Sequence, residues 1–284
     1  MATHPFRLIN VFTEGPHPFT GNPLCVFEDG LGMSGEHMQA LARQFNLSET
    51  TFILPPTDRA RANARVRIFT PSYEMAFAGH PTLGTAQVCR ALKLGGDSLV
   101  LEMQAGLIPV RAVGSRFTLT ALGATSREVD VSRDALAAAL GLQVRDIGER
   151  PLWVKAGKEQ LVVPLTSTDA VRRATPLPSA MDKIRSEDGL SMAYVFCLDG
   201  EGRSLARFFF PVGGAILEDP ATGSATANFG AWCLAMQRPL PIQVRISQGE
   251  FVDRPSTLFL EVNGSGQIFV GGDVFEIGRG SITL

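Results

Sequence analysis

Short apolar or alternating runs between turn residues dominate the chain and predict a β-rich protein with few helices. In the first half, these runs are RLINVF, PLCVFE, ETTFILP, ARVRIFT and SLVLEM. In the second half, they are AYVFCL, LARFFF, PIQVRIS, TLFLEV and QIFVGG. Apolar residues at helical spacing predict helices over 34–45, 81–93, 132–140 and 220–236. Strands that outnumber helices, with one helix after a shared motif in each half, indicate an α+β protein.

Two sequence motifs recur at about half the chain length. Residues 67–71 read RIFTP and residues 207–211 read RFFFP, an offset of 207 − 67 = 140. The segments HPTLGTA at 80–86 and DPATGSA at 219–225 share P-x-x-G-[ST]-A, at an offset of 219 − 80 = 139. Two ordered matches at nearly one offset indicate a duplicated unit.

The duplication predicts two similar halves, residues 1–122 and 123–284. A fainter echo between the segments around Gln104 and Gln248 lies in the same order along the chain. The segment between the halves contains glycines, serines and charges that suit a connection.

Composition and charge narrow the classes of function. A formal net charge of -2 argues against a nucleic-acid or membrane-surface partner, because either favours a clustered basic excess. No run approaches the roughly 18 apolar residues of a membrane span, and the first residues lack the pattern of a signal peptide. Four scattered cysteines without a CxxC pair fit reduced thiols, so we expect a cytoplasmic protein. Four histidines without metal-ligand spacing give a metal site little support.

The repeated motif has the character of a helix start. Pro81 and Pro220 each stand where a helical pattern begins, and proline suits the first position of a helix. Asp219 would then be the N-cap residue, with His80 in the equivalent place, and Gly95 with Gly96 would end the first helix. Capping alone therefore accounts for Asp219 without any chemistry.

The duplication raises a second interpretation of these helix starts. Each helix N-terminus has unpaired N–H groups and about half a positive charge, so two of them facing one another would hold an anion. The hydroxyl groups of Thr85, Thr222 and Ser224 would add donors. A phosphate-binding loop is disfavoured, because neither GxxxxGK[ST] nor GxGxxG occurs and two acids stand in the motif.

Several ordered motifs resemble one known family. They are VFTEGPHPFTGNPLCVF, ARQFNLSETTFI, RIFTPSYEMAFAGHPTLGTA, FFFPVGGAILEDPATGSATANFGAW and ISQGE, and they span about residues 7 to 280. Together they resemble the PhzF-like (phenazine biosynthesis) family of the diaminopimelate-epimerase-like superfamily. The resemblance implies two pseudo-symmetric halves, each a barrel-like β-sheet around a central helix, with the active site in the cleft between them. It also implies that about residues 269–284 return to the first half.

The resemblance assigns site residues as well. Racemases of the superfamily use a cysteine at each helix start, but His80 and Asp219 occupy those places here. The general acid–base residue of the PhzF-like branch is the glutamate of a motif like NLSET, which is Glu49. Without the resemblance, an exposed acid at a strand start is the favoured interpretation of Glu49. For Asn22, a turn residue before proline and a residue near the substrate are equal alternatives. The resemblance implies catalytic roles for Glu49, His80 and Asp219, and substrate binding by Asn22, Ser48, Gly79, Thr222, Gly223 and Ser224.

The function implied by the resemblance is a cofactor-independent isomerase that moves a proton on a small carboxylate-bearing substrate. Trans-2,3-dihydro-3-hydroxyanthranilate is the best-known substrate of the family. Glu49 would remove a proton from one carbon and return it to a conjugated one, with burial strengthening it as a base. An amino-acid racemase and a non-catalytic binder of small carboxylates are the alternatives. Family members commonly form homodimers, and nothing in the sequence requires a flavin, a nicotinamide, pyridoxal phosphate or a metal.

Overall fold

The structure, a computed structural model, describes residues 2–15, 17–121 and 123–284. The chain divides into two compact units. Unit 1 comprises Met1–Thr120 and Gly271–Leu284, and unit 2 comprises Ala121–Val270. Within the described ranges, no helix is both long enough and apolar enough to cross a membrane.

Unit 1 contains two helices and a series of short strands. In chain order they are β1 (Thr3–Val11), β2 (Asn22–Phe27), α1 (Gly35–Phe45), β3 (Glu49–Leu54), β4 (Ala64–Phe69), β5 (Glu74–Met75), α2 (Gly79–Ala91), β6 (Ser98–Met103), β7 (Gly106–Val113) and β8 (Arg116–Thr120). The last strand of the chain, β17 (Ile268–Thr283), runs from unit 2 into unit 1.

The strands of unit 1 close into a barrel. β1 pairs antiparallel with β2, β2 parallel with β3, β3 antiparallel with β4, and β4 parallel with β6. β6, β7 and β8 follow as an antiparallel meander, and β17 joins β8 to β1. In the part of unit 1 that the structure describes, eight strands thus form a closed ring, with β5 paired to β4 beside it.

Helix α2 packs against the inner faces of the unit 1 strands. It contacts β1, β2, β3, β4, β6 and β8, and it is buried along most of its length. Gly84 permits this close packing, because a Cβ there would lie only 2.6 Å from Leu24 Cδ2 and 3.0 Å from Val11 Cγ2. The strands place alternate side chains inward, so the barrel and the helix bury one common core.

Unit 2 contains the elements β9 (Thr125–Glu128), α3 (Arg133–Ala139), β10 (Leu152–Lys155), β11 (Glu159–Pro164), α4 (Thr168–Arg173), α5 (Pro178–Met181), β12 (Ala193–Leu198), β13 (Arg203–Val212), β14 (Ala215–Asp219), α6 (Gly223–Ala235), β15 (Ile242–Gln248) and β16 (Ser256–Val262). Its sheet repeats the order of unit 1. β11 is parallel to β12, β12 antiparallel to β13, β13 antiparallel to β14 and parallel to β15, and β15 antiparallel to β16. Helix α6 packs against β9, β10, β11 and β16.

The expected α+β class is confirmed, and every run predicted as a strand overlaps one. The helices predicted over 34–45 and 132–140 are confirmed as α1 and α3, which begin after the N-caps Ser34 and Ser132. The pattern missed α4 and α5, which are only 6 and 4 residues long. It also missed several short strands, among them β5, β9 and β14.

The predicted starts of the two central helices were wrong. α2 begins at Gly79, so Pro81 is its third residue, and α6 begins at Gly223, with Thr222 as its N-cap. Pro81 still lies in the first turn, where a helix N–H has no partner in the helix. Asp219 is not the N-cap but the last residue of β14. The predicted glycine stop of α2 was also wrong, because the left-handed residue after the helix is Lys93 (φ 59°).

Candidate active site

The first group of candidate residues lies at one edge of the unit 1 barrel. β2 and β3 run parallel, with Leu24 opposite Glu49, so Glu49 opens its strand at the edge where β2 also begins. His80 is the second residue of α2. The two side chains meet, with His80 Nε2 3.4 Å from Glu49 Oε2. Their side chains are only 7% and 15% exposed, so both groups are shielded from bulk water.

The ring of His80 has one defined orientation. It makes a hydrogen bond to the backbone of Pro23, which has no N–H, so the Pro23 carbonyl accepts and the ring donates. Among the described residues, Nε2 has no hydrogen-bond partner, so the donating atom is Nδ1. Burial lowers the pKa of His80 to about 3, although the bond to Pro23 opposes this shift. The ring is therefore neutral at physiological pH, with the Nε2 lone pair facing Glu49.

This arrangement suits a carboxylate that takes up and returns a proton. A neutral imidazole lone pair beside an ionised carboxylate is electrostatically unfavourable, whereas the same lone pair accepts a hydrogen bond from a protonated carboxyl group. His80 Nε2 is therefore placed to accept a hydrogen bond from the Glu49 carboxyl group whenever that group carries a proton. The half-exposed side chain of Tyr73 lies in the same neighbourhood. Partial burial, and then the charge of Glu49, raise the pKa of its phenol group.

The other unit 1 candidates lie on the same elements. Asn22 is the first residue of β2 and fully buried, and Ser48 is the exposed residue immediately before Glu49. Gly79 is the first residue of α2 and is buried. Thr85, proposed above as an anion donor, lies deeper in the barrel, where its hydroxyl shares a 2.8 Å hydrogen bond with Thr51. Thr85 is therefore part of the core and not of the helix start.

The second group lies between β14 and α6 in unit 2. Asp219 ends β14, and the Thr222 hydroxyl donates to its Oδ2 at 2.5 Å. Gln248, the last residue of β15, donates from Nε2 to the Asp219 backbone carbonyl and to Thr222 Oγ1, at 2.9 and 3.1 Å. Its Oε1 accepts from the Thr222 N–H at 3.3 Å. Gln248 therefore holds both Asp219 and Thr222 in place.

The start of α6 has a second buried amide beside it. Gly223 is the first residue of the helix, and Ser224, the second, accepts a hydrogen bond from Gln160 Nε2 at 3.0 Å. Gln160 in turn accepts from Asn228 Nδ2 at 2.8 Å. Both amide side chains are fully buried, at 2% and 0% exposure.

The two central helices differ from α1, α3 and α4 at their N-termini. Helices α1, α3 and α4 each have a serine whose hydroxyl accepts from the first turn, namely Ser34, Ser132 and Ser167. At α2 and α6, the N-cap residues Ala78 and Thr222 make no such bond. The first-turn N–H groups of α2 and α6 therefore lack a side-chain acceptor at the N-cap, at helix ends that favour negative charge.

The cysteines of the two central helices are not placed for a thiol-based mechanism. Cys89 and Cys233 lie near the C-terminal ends of α2 and α6, and burial raises the pKa of each to about 12. Such thiols stay protonated and are poor nucleophiles or bases. Among the described residues, no group of three His, Cys, Asp or Glu side chains is arranged to hold a metal ion.

Sequence analysis missed three residues that organise the second group: Gln160, Asn228 and Gln248. Gln248 carried a weak signal, because it echoes Gln104 and stands in the ISQGE motif. Gln160 and Asn228 lie on different elements, β11 and α6, and contact each other only in the folded unit. No local pattern marks them.

Comparison with known proteins gives a consistent family. The family model described as phenazine biosynthesis-like protein matches residues 9–272. An uncharacterized isomerase of Pasteurella multocida is 36% identical, over 99% of this chain and 95% of its own length. A trans-2,3-dihydro-3-hydroxyanthranilate isomerase of Pseudomonas aeruginosa is 37% identical, over 93% of this chain and 92% of its own.

The fold comparison agrees with the family model. The crystal structure of a Bacillus anthracis phenazine biosynthesis protein of the PhzF family superposes with a TM-score of 0.85 at 24% identity, and all of both chains is covered. Because the family model matches more than nine-tenths of the chain and relatives above 30% identity span nearly all of it, the chain is an isomerase of the phenazine biosynthesis-like, or PhzF-like, family.

Proposed function

We propose that this isomerase moves a proton between two carbons of a small, cyclic unsaturated amino acid, with Glu49 as the general acid–base residue and without a cofactor. The observation that carries the proposal is the 3.4 Å contact between Glu49 and a buried, neutral His80. The name of the Pseudomonas aeruginosa relative, trans-2,3-dihydro-3-hydroxyanthranilate isomerase, supports the substrate class.

The proposed reaction has two proton transfers through one carboxylate. Glu49 first removes a proton from an sp³ carbon, and the electrons of the broken C–H bond enter the conjugated double bonds. The protonated Glu49 then returns the proton to a different carbon of the same conjugated system, so that a double bond moves and no atom is gained or lost. The lone pair of His80 Nε2 favours the intermediate in which Glu49 is protonated. Positioned proton transfer of this kind contributes about 10²–10⁴-fold to a rate.

The remaining candidates are proposed to bind the substrate. Asp219, with one oxygen already held by Thr222, is suited to a cationic or hydroxyl group. In unit 2, the N–H group of Gly223, at a helix end that favours negative charge, and the Ser224 hydroxyl suit a carboxylate. In unit 1, the N–H group of Gly79 lies at a helix end of the same character. Asn22 and Ser48 flank Glu49 on β2 and before β3, and they are proposed to orient the ring of the substrate.

The test is proton NMR in D₂O with trans-2,3-dihydro-3-hydroxyanthranilate and a panel of cyclic and acyclic amino acids. We expect the wild type to isomerise a cyclic unsaturated member and Glu49→Gln to be inactive while folded. Glu36→Gln, which neutralises an exposed acid of the same unit, is the matched control and should retain full activity.

Other outcomes have distinct meanings. Exchange with inversion at the α-carbon of a saturated amino acid would show that the protein is a racemase and would refute the proposed isomerisation of cyclic unsaturated amino acids. An active, folded Glu49→Gln protein would remove Glu49 from the reaction. Tight binding of the panel without any exchange would favour a carboxylate binder.

A further inference from the structure

A chain of hydrogen bonds leads from the backbone of unit 2 to Ser224, and its first link has a fixed direction. The N–H of Ala156 donates to Asn228 Oδ1 at 2.6 Å. A backbone N–H only donates, so this atom of Asn228 is the oxygen and the other is the nitrogen. The carbonyl of Lys158, which only accepts, independently receives a bond from Asn228 Nδ2 at 3.0 Å. Two backbone groups therefore set the orientation of this buried amide.

The orientation of Asn228 also sets the orientation of the second amide, that of Gln160. Asn228 Nδ2 donates to Gln160 Oε1 at 2.8 Å, which places Gln160 Nε2 toward Ser224 Oγ at 3.0 Å. An amide nitrogen donates and does not accept, so the Ser224 oxygen is the acceptor in this bond. The hydroxyl proton of Ser224 consequently points away from Gln160.

We infer that Gln160 and Asn228 are positioning residues that make Ser224 a hydrogen-bond donor toward an acceptor group of the substrate, such as its carboxylate. This inference rests on the proposed function, which places Ser224 at the substrate. A serine hydroxyl without such a partner turns to suit either a donor or an acceptor. Here the backbone N–H of Ala156, through Asn228 and Gln160, fixes the direction of the Ser224 hydroxyl proton. The hydroxyl group therefore adds a hydrogen-bond donor at the positive end of α6, which favours the binding of carboxylates over ammonium groups.

Gln160→Glu should reverse the direction of the hydrogen bond between residue 160 and Ser224. A carboxylate only accepts, so one oxygen would still accept from Asn228 while the other would draw the Ser224 proton inward. Loss of one hydrogen bond to a charged group corresponds to a dissociation constant about 10- to 100-fold higher for a carboxylate ligand. The added negative charge acts separately, and the double variant with Ser224→Ala isolates it, because no hydroxyl is left to reorient.

The experiment uses the whole chain and a probe that has no proton to move, 2-aminobenzoate. Its dissociation constant is measured by calorimetry for the wild type, Gln160→Glu, Ser224→Ala and the double variant. Gln267→Glu is the matched control, since it changes an exposed glutamine of the same unit that also accepts from an asparagine, at 3.0 Å. In parallel, NMR of the ligand-free protein locates the Gln160 side-chain NH₂ protons relative to the β-protons of Ser224.

Two results support the inference. The Gln160 NH₂ protons lie close to the Ser224 β-protons, and Gln160→Glu weakens probe binding 10- to 100-fold. In the Ser224→Ala background, the same substitution weakens probe binding by less than about threefold. The inference is overturned if the wild type does not bind the probe, if the Gln160 NH₂ group faces Asn228, or if the weakening is equal in both backgrounds. Neither measurement uses turnover. An inactive wild type that passes both would therefore refute the proposed isomerase reaction and leave the positioning role standing.

Discussion

The neutral state of His80 has a consequence for stability that can be measured as the pH is lowered. Burial brings the pKa of His80 from 6.5 to about 3 in the folded protein. Between these values the unfolded chain binds a proton that the folded chain does not. Stability therefore rises with pH in this window: the full contribution is present above about pH 6.5, and it is lost as the pH falls toward 3.

The magnitude follows from the same two values. Each pH unit inside the window changes the free energy of unfolding by about 1.4 kcal/mol per proton. Between pH 8 and pH 5, His80 alone should therefore lower the free energy of unfolding by about 2 kcal/mol. All other groups contribute as well, so the quantity to compare is the difference between the wild type and His80→Gln.

The assay is urea denaturation at pH 8 and pH 5, followed by circular dichroism. The wild type should lose about 2 kcal/mol more than His80→Gln over this interval. His37→Gln, which removes an exposed imidazole from α1, is the control and should behave as the wild type does. Nitrogen-15 NMR of labelled histidines adds a direct readout, because it distinguishes a ring protonated at Nδ1 from one protonated at Nε2.

The reasoning is refuted if the wild type and His80→Gln lose equal stability between the two pH values. His80 would then take up its proton in the folded state, and its Nε2 atom would not present a lone pair to Glu49. A resonance that shows protonation at Nε2 near neutral pH would refute the orientation even if the stability difference appeared.

Three further changes test other parts of the structure. Gln248→Met leaves the Asp219 carbonyl and the Thr222 N–H without their partner, so we expect kcat/KM to fall about 10- to 100-fold and stability by about 1–3 kcal/mol. Arg207→Met breaks a buried pair with Glu218 and should cost about 3–5 kcal/mol by denaturation, whereas removal of an exposed pair such as that of Arg203 should leave the stability almost unchanged. Gly249→Ala should lower the melting temperature, with a loss of about 2 kcal/mol or more, because φ is 82° and a Cβ would lie 2.2 Å from a backbone oxygen; an unshifted melting temperature would contradict this.

Much of the fold could be predicted from the sequence because it depends on local periodicity. Runs such as ETTFILP and SLVLEM are short, apolar and bounded by turn residues, and each forms a strand. Helix α1 has a serine cap and an amphipathic pattern, and its predicted bounds agree with the structure within one residue. Helices α2 and α6 are buried at centres of sheets and lack such a polar face, so only turn residues suggested where they begin.

The sequence pattern aligned the two copies of the repeated segment incorrectly. The shared P-x-x-G-[ST]-A motif placed His80 opposite Asp219, but the two central helices begin at Gly79 and Gly223, an offset of 223 − 79 = 144. By this offset the counterpart of His80 is Ser224. The structure supplies the reason, since Arg67 binds Glu74 after 74 − 67 = 7 residues and Arg207 binds Glu218 after 218 − 207 = 11. The four extra residues lengthen the hairpin between β13 and β14 and shift everything after it.

The strand pairing of Arg67 and Arg207 also identifies the counterpart of Glu49 in unit 2. In unit 1, Arg67 lies opposite Phe52 on the neighbouring strand, and in unit 2, Arg207 lies opposite Val195. Three residues before Phe52 stands Glu49. Three residues before Val195 stands Met192, between a serine and an alanine.

The duplicated units have therefore diverged in their chemistry. Residues 191–193 have no titratable side chain, and the counterpart of His80 is Ser224, so unit 2 repeats neither Glu49 nor His80, the proposed acid–base residue and its neighbour. A racemase that uses two bases needs one for each face of a carbon. Here unit 2 instead has Asp219 held by Thr222 and Gln248, and Ser224 held by Gln160. With Glu49 as the proposed base, a single carboxylate can remove the proton and return it on one face of the substrate, which suffices for an isomerisation.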